Sequence, residues 1–230
     1  MILESERITE LAAQWEELPP QEIVAAALEL FGDRITIASS FGLEDVALIH
    51  MAASVSRGTV DVFCLDTEVL FPETYDLMHR FRDGYPIRLR RIAPKLSLAE
   101  QAERHGDRLW TRDPDLCCKM RKVEPLQRAL QSYDAWITGL RRAQGPTRSG
   151  AKAVENDPRH GLHKVNPLVR WSDDEVWAYV RAEGVPYNPL HEQGYPSIGC
   201  THCTRPVRPG EDPRAGRWAG FAKTECGLHQ

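Results

Sequence analysis

A chain of 230 residues with 29 lysines and arginines against 33 aspartates and glutamates has a net charge of −4, which excludes the strongly basic face that grips nucleic acid indiscriminately. Residues 1–10 hold three glutamates and no apolar run of the signal-peptide kind, and no stretch approaches the ~20 apolar residues of a membrane span, so a cytoplasmic protein without membrane contact is expected. Six cysteines in a reducing compartment then point to ligands or redox nucleophiles rather than to a disulfide framework.

In chain order, residues 23–31 carry apolar side chains at helical spacing and stop at Gly32, a C-terminal cap. Residues 34–38 read as a buried strand. After a turn at Ser39-Ser40-Phe41-Gly42, residues 43–53 are helical, with Glu44 and Asp45 in the first turn where the helix dipole favours acids. Residues 60–65 form a second strand, 72–82 a helix opened by proline, and 87–92 a third, charged strand nearer an edge. Residues 134–138 are a fourth strand. This alternation implies βαβ units, hence an α/β fold with a mostly parallel sheet flanked by helices. Ligands of such sheets bind beyond the carboxyl ends of the strands. Residues 145–163 lack periodicity and read as a flexible loop. Residues 171–182 are a helix with Ser172 as N-cap and Glu175 as its capping-box partner. Beyond Pro186, frequent proline and glycine leave little regular structure. The expected organisation is one domain over residues 1–205 and a mobile C-terminal segment over 206–230.

Cys117-Cys118 and Cys200-x-x-Cys203 supply four thiols, the number that a tetrahedral zinc or a cubane iron–sulfur cluster requires. Adjacent cysteines diverge, which a cluster accommodates more easily than one small ion, although spacing alone does not name the metal. Buried small residues and an isolated redox pair are the simpler alternative. Cys64, inside an apolar strand, reads as a core residue. Cys226 lies in a polar tail where core packing does not explain it. It is either a reactive thiol, activated by Lys223, His229 or a cationic site, or an accidental tail residue.

The segment from Ser39 to Asp45 offers hydroxyls and backbone N–H groups at a helix N-terminus, where phosphate or sulfate is favoured. An ordinary βα turn has the same form, and the Gly-Lys-Ser/Thr ending of a Walker A loop is absent. Asp66, followed by Thr67 at the end of the second strand, either hydrogen-bonds ribose or base or simply terminates the strand. Arg141 and Arg142 follow the fourth strand with planar forks that match phosphate or sulfate oxygens. Arg121, Lys122, Arg214 and Arg217 are, by sequence, isolated charges.

These pieces together resemble the assimilatory adenylyl-sulfate and phosphoadenylyl-sulfate reductases, of the adenine nucleotide α-hydrolase-like (PP-loop type) fold. The resemblance rests on Ser39-Ser-Phe-Gly-Leu-Glu-Asp45, on residues 65–75, on Cys117-Cys-Lys-Met-Arg-Lys122, on residues 136–142 and 164–168, on Cys200-x-x-Cys203 and on Glu225-Cys-Gly-Leu-His229. It implies that Cys117, Cys118, Cys200 and Cys203 bind a 4Fe-4S cluster, with Lys122 beside it. It also implies that Arg121, Arg142, Arg214 and Arg217 surround the phosphosulfate. Substrate contacts are expected from Ser39, Ser40, Phe41, Gly42, Asp66, Thr67, Arg121, Arg142 and His229, and catalysis from Cys226, Arg214, Arg217 and Lys122. Some members have a histidine shortly before the double cysteine, where this chain has Asp113-Pro114-Asp115, so that histidine's role does not carry over.

The implied reaction is attack of the Cys226 thiolate on the sulfur of adenylyl sulfate. AMP is expelled, and a thioredoxin- or glutaredoxin-like dithiol then releases sulfite. A homo-oligomer is expected. The same chemistry on the 3′-phosphorylated nucleotide is the nearest alternative. A nucleotide-activating PP-loop ligase or thiolase, and a non-enzymatic zinc or cluster module, are the others.

Overall fold

The apolar runs pair into one sheet of six strands: β1 Ile35–Ser39, β2 Val60–Leu65, β3 Ile87–Ile92, β4 Ala135–Ile137, β5 Val154–Asp157 and β6 Leu162–Val165, in the order β3-β2-β1-β4-β6-β5. The computed structural model describes residues 2–223 and 225–228. β1 runs parallel to β2 and β4, and β4 parallel to β6, while β5 returns antiparallel to β6. The fold is therefore the expected α/β architecture with a mostly parallel sheet. β2 is buried from Val60 to Cys64, as a strand covered on both faces must be. β3 stands at the edge, where its exposed arginines blunt pairing with another chain.

The helices are α1 Ser5–Trp15, α2 Pro20–Phe31, α3 Leu43–Val55, α4 Pro72–Gly84, α5 Leu98–His105, α6 Pro114–Cys118, α7 Glu124–Leu130 and α8 Asp173–Ala182. A π-helical turn, Lys119–Val123, separates α6 from α7. Gly32 ends α2 at φ +55°, with its N–H on the Leu28 carbonyl. Ser172 and Glu175 form the expected capping box of α8.

Contacts divide the chain into two units, each assembled from separate segments. The first comprises Met1–Cys64, His79–Arg90 and Leu130–Tyr187. Its core is α3, whose Val46, Ala47, Leu48, Ile49, Met51 and Ala52 are wholly buried. A helix apolar on all sides sits between layers rather than on a surface, and here α2 and α8 pack against it. Each of the large aliphatic side chains there stabilises the unit by roughly 1.5–3 kcal/mol. The second unit comprises Leu65–Met78, Arg91–Ala129 and Asn188–Gln230. It includes α5, α6, the π turn and the chain beyond Asn188, whose described residues have helical structure only in short 3₁₀ turns.

One expectation is corrected. The stretch 145–163 is not structureless: it contains β5 and leads into β6. The amino-terminal residues, for which no element was read from the sequence, form α1, which buries Ile8, Leu11, Ala12 and Trp15 and packs on β5.

Candidate functional site

In the first unit, the loop between β1 and α3 closes on itself. The backbone N–H and hydroxyl of Ser40 both donate to Asp45 Oδ2, at 2.6 and 2.7 Å, and Phe41 N–H donates to Ser39 Oγ at 3.0 Å. Phe41 holds a left-handed φ of +58°, which costs a non-glycine residue about 1–3 kcal/mol and persists only where packing enforces it. The enforcement is visible: the ring is 1% exposed and meets Phe81 edge-on at 5.8 Å. Of the expected contacts in this loop, Phe41 therefore offers backbone only, and Gly42 serves as the N-cap position of α3. Asp45 is buried, and burial pushes its carboxyl up to about 6 despite the hydrogen bonds from Ser40.

The two arginines after β4 are both engaged. Arg141, 3% exposed, reaches Glu44 Oε1 at 2.7 Å, Asp173, and the Trp171 carbonyl at 3.1 Å. Arg142 pairs with Glu16 and donates to the Ala151 carbonyl at 2.8 Å. Its hydrogen bond holds the Glu16 carboxyl below the usual range.

The second unit gathers the thiols. Cys117, Cys118, Cys200 and Cys203 line one cavity of about 20 Å³, closed by Trp110, His202 and Trp218, with Arg121 and Lys122 on its wall. Trp110 and His202 are stacked, 4.0 Å apart and 9° from parallel. The fold brings the two cysteine pairs together through the chain after β2. Leu70 bridges to Cys200, Thr201 N–H donates to the Val69 carbonyl at 2.9 Å, and Thr67 Oγ1 lies 3.3 Å from Cys200 Sγ. No disulfide joins any of the six cysteines.

Burial, then the neighbouring thiols Cys118, Cys200 and Cys203, push Cys117 up to about 12. Burial, then Cys200 and Cys118, push Cys203 up to about 11. Thiols held up in this way ionise when further positive charge stands beside them, which a metal core would supply. Among the described residues no three His, Cys, Asp or Glu side chains are arranged to hold a single metal ion. A donor set spread around a cavity suits a multi-iron group, which takes one thiolate per iron, better than one zinc.

Arg121 is 2% exposed and braces the same chain. It donates to the Thr67 carbonyl at 2.8 Å and Gln101 Oε1 at 2.9 Å, and pairs with Glu68. Asp66 accepts from Tyr75 Oη at 2.7 Å and Glu68 N–H at 2.9 Å and pairs with Arg91. Burial opposes its charge, but these donors outweigh burial and hold the carboxyl below its ordinary value.

Lys122 projects from the π turn. Burial pulls its ammonium down, but Cys200, Cys226 and Cys118 outweigh that pull and hold it above the ordinary lysine value. Arg217 donates to Ser197 Oγ at 3.0 Å, lies 4.6 Å over the Trp218 ring, and keeps a buried Nε without a partner among the described groups. Arg214 reaches Glu225 Oε2 at 3.2 Å. His229 lies outside the described residues. Trp110, Trp218 and the spacing glycines Gly139 and Gly199 were not singled out by sequence. Trp218 adjoins Arg217, Gly199 adjoins Cys200 and Gly139 lies within the 136–142 motif, whereas Trp110 had no such neighbour.

A mostly parallel sheet with a self-capped loop after β1, in a chain whose second unit collects five cysteines, four of them around one cavity, defines an α/β protein with a thiol-lined site. The family described as Phosphoadenosine phosphosulfate reductase domain matches residues 34–206, and the chain belongs to it. An adenosine 5′-phosphosulfate reductase of Halalkalibacterium halodurans is 47% identical over 224 residues, 97% of this chain and 96% of that one. A phosphoadenosine 5′-phosphosulfate reductase of Gloeobacter violaceus is also 47% identical, over 232 aligned positions that cover 100% of this chain and 96% of that one. The crystal structure of phosphoadenylyl-sulfate reductase from Candida auris, a phosphate complex, superposes with a TM-score of 0.77 at 33% identity, covering 89% of this chain and 99% of that one.

Proposed function

We propose that the chain reduces adenosine 5′-phosphosulfate to sulfite and AMP in sulfate assimilation, with Cys226 as nucleophile. The observation that carries the reading is Cys226 itself: a thiol of the C-terminal tail that acts electrostatically on Lys122 and Cys118, beside a cavity lined by the other four thiols of its unit. Naming the substrate draws on relatives, several of them adenosine 5′-phosphosulfate reductases at 45–48% identity.

In the first step the Cys226 thiolate attacks the sulfate sulfur. The S–S bond forms as the S–O bond to AMP breaks, and AMP leaves with the electron pair. In the second, one thiolate of a dithiol reductant attacks Cys226 Sγ and sulfite departs. The reductant's second thiol resolves the mixed disulfide, so the two electrons come from the dithiol. The first step brings two anions together, so cations must offset the repulsion; Lys122, Arg214 and Arg217 in the second unit are the groups assigned this role. Ser39, Ser40, Gly42, Asp66, Thr67, Arg121 and Arg142 are assigned to substrate binding, the arginines after exchanging their present carboxylate partners for substrate oxygens.

Cys117, Cys118, Cys200 and Cys203 would hold a 4Fe-4S cluster. When bound, it would supply a fixed charged body that locks the two cysteine segments and sets the field at Lys122. Both displacements are two-electron steps at sulfur. The reading also includes a thioredoxin- or glutaredoxin-like partner, a mobile segment over residues 206–230, self-association, and a cytoplasmic setting. No described helix is long and apolar enough to cross a membrane.

The test is Cys226→Ser in anaerobically purified protein. Adenylyl sulfate should leave no S-sulfo adduct by mass spectrometry on the serine variant, while AMP binding and the iron content persist. An adduct on the serine variant would sink the assignment. The phosphoadenosine 5′-phosphosulfate reductase relative at 47% identity motivates the second reading, the 3′-phosphorylated substrate, which comparison of turnover on the two nucleotides decides.

A further inference from the structure

Among the described residues, ion pairs tie the tail down on the N-terminal side of Cys226, and one of them uses Asp115, a residue with no part in the proposed chemistry. Lys223 Nζ pairs with Asp115 Oδ1 and lies 5.4 Å over the Trp218 ring. Only 10% of the Lys223 side chain is exposed, against 79% of the Asp115 side chain. The lysine is thus largely covered, over the ring of Trp218, which lines the thiol cavity, and Asp115 is the outer half of the clasp. Asp115 stands in the first turn of α6, two residues before Cys117, so the clasp joins the tail to the segment that carries the double cysteine. The other tie, Arg214 to Glu225 at 3.2 Å, involves an arginine assigned to substrate.

We infer that Asp115 is a positioning residue: through Lys223 it holds Cys226 docked beside Lys122, and the strength of this clasp sets how often the tail leaves to meet the reductant. The inference rests on Cys226 being the nucleophile. The two half-reactions make opposite demands. Attack on the sulfonucleotide requires the thiol to be docked, and attack by a protein dithiol requires the same sulfur to be accessible. A clasp serving both must be weak. An ion pair whose carboxylate is open to water is screened on that side, which leaves it weak enough for the tail to exchange between the two positions. A buried pair would lock the tail, and no pair would leave it undocked.

The experiment uses the full chain, purified anaerobically and compared at equal iron and sulfide content. It follows alkylation of Cys226 by iodoacetamide through peptide mass spectrometry, together with steady-state kinetics. Asp115→Lys, which places two cations opposite each other, should raise the Cys226 alkylation rate severalfold and raise KM for adenylyl sulfate by a similar factor. Sulfite release from a preformed Cys226 adduct by thioredoxin should become faster. Asp115→Glu should restore all three to the wild-type values. Unchanged alkylation and KM in Asp115→Lys would overturn the inference, as would Asp115→Glu behaving like Asp115→Lys. Neither result touches the nucleophile assignment, which fails only on the Cys226→Ser adduct.

Discussion

Gly139 and Asp45 approach so closely that a methyl group on Gly139 would stand 2.7 Å from Asp45 Oδ1 and 2.7 Å from Glu44 Cβ. The glycine follows β4 and lets the chain pass against the first turn of α3. There Asp45 accepts both donors of Ser40, and Glu44 takes the Arg141 fork. The requirement is for space rather than for an unusual φ, because no positive φ occurs at this glycine.

Gly139→Ala should therefore behave as an overpacking substitution, costing about 1–3 kcal/mol, which in a chain of this size lowers Tm by roughly 2–4 °C per kcal/mol. Because the displaced Asp45 holds the β1–α3 loop through Ser40, AMP affinity measured by calorimetry should fall with it. Gly58→Ala is the control, since nothing lies within 4 Å of an added Cβ there. A Gly139→Ala protein as stable as Gly58→Ala would refute the close-approach account.

The same aspartate predicts a pH dependence. Its carboxyl is pushed up to about 6 by burial, against ~3.9 in an unfolded chain. Between these values the native state binds the proton that the unfolded state has lost, so stability falls as pH rises from about 4 to about 6 and is flat above. A displacement of about two units corresponds to roughly 3 kcal/mol. Asp45→Asn cannot titrate. Subtracting its denaturation free energies from those of the wild type across pH 4–8 should isolate a falling step in that window. A flat difference curve would mean that Asp45 is ionised throughout.

The loop, the sheet's central strands and the helix caps were legible because their signals are local. A continuous apolar run marks β2, and the Ser172–Glu175 box closes within four residues. β5 and β6 were not legible, because their stabilising pairs are polar and form only across the ladder. Glu155 opposes Lys164 and Asn156 opposes His163, with an ion pair at 3.2 Å and a hydrogen bond at 3.0 Å. The stretch therefore looked like a charged loop. α1 did show helical spacing at Ile8, Leu11, Ala12 and Trp15, hidden by its glutamates. In the thiol unit the cysteines announced themselves by spacing. Trp110 and Trp218 enclose the same cavity from positions 108 residues apart, which no local pattern encodes. The burial of Arg121 among Thr67, Gln101 and Glu68 is equally a product of tertiary structure.

Arg217 and Gly199 give the last prediction, one in which the arginine can be displaced without being removed. An added Cβ at Gly199 would stand 2.3 Å from Arg217 Nη2 and 2.6 Å from its Cζ, so the glycine is the recess in which the guanidinium lies. Its Nη1 donates to Ser197 Oγ at 3.0 Å, while its buried Nε has no partner among the described groups. A buried, unsatisfied donor costs about 1–3 kcal/mol, and under the proposed function the developing negative charge of the sulfonucleotide is the group that would complete it. Arg217→Ala should slow adduct formation on Cys226 by about 10²–10³, the usual loss on removing one donor to a developing anion. Gly199→Ala should reproduce most of that loss with the arginine still present, because an end-on side chain yields to a methyl group more readily than backbone does. If both act through the guanidinium's position, the double variant should be no slower than Arg217→Ala alone, a coupling that additive, independent effects would not produce. The measurement is single-turnover adduct formation by mass spectrometry at matched iron content, which controls for the neighbouring Cys200. Additive losses in the double variant would show that Gly199 acts on the cysteine segment and not on Arg217.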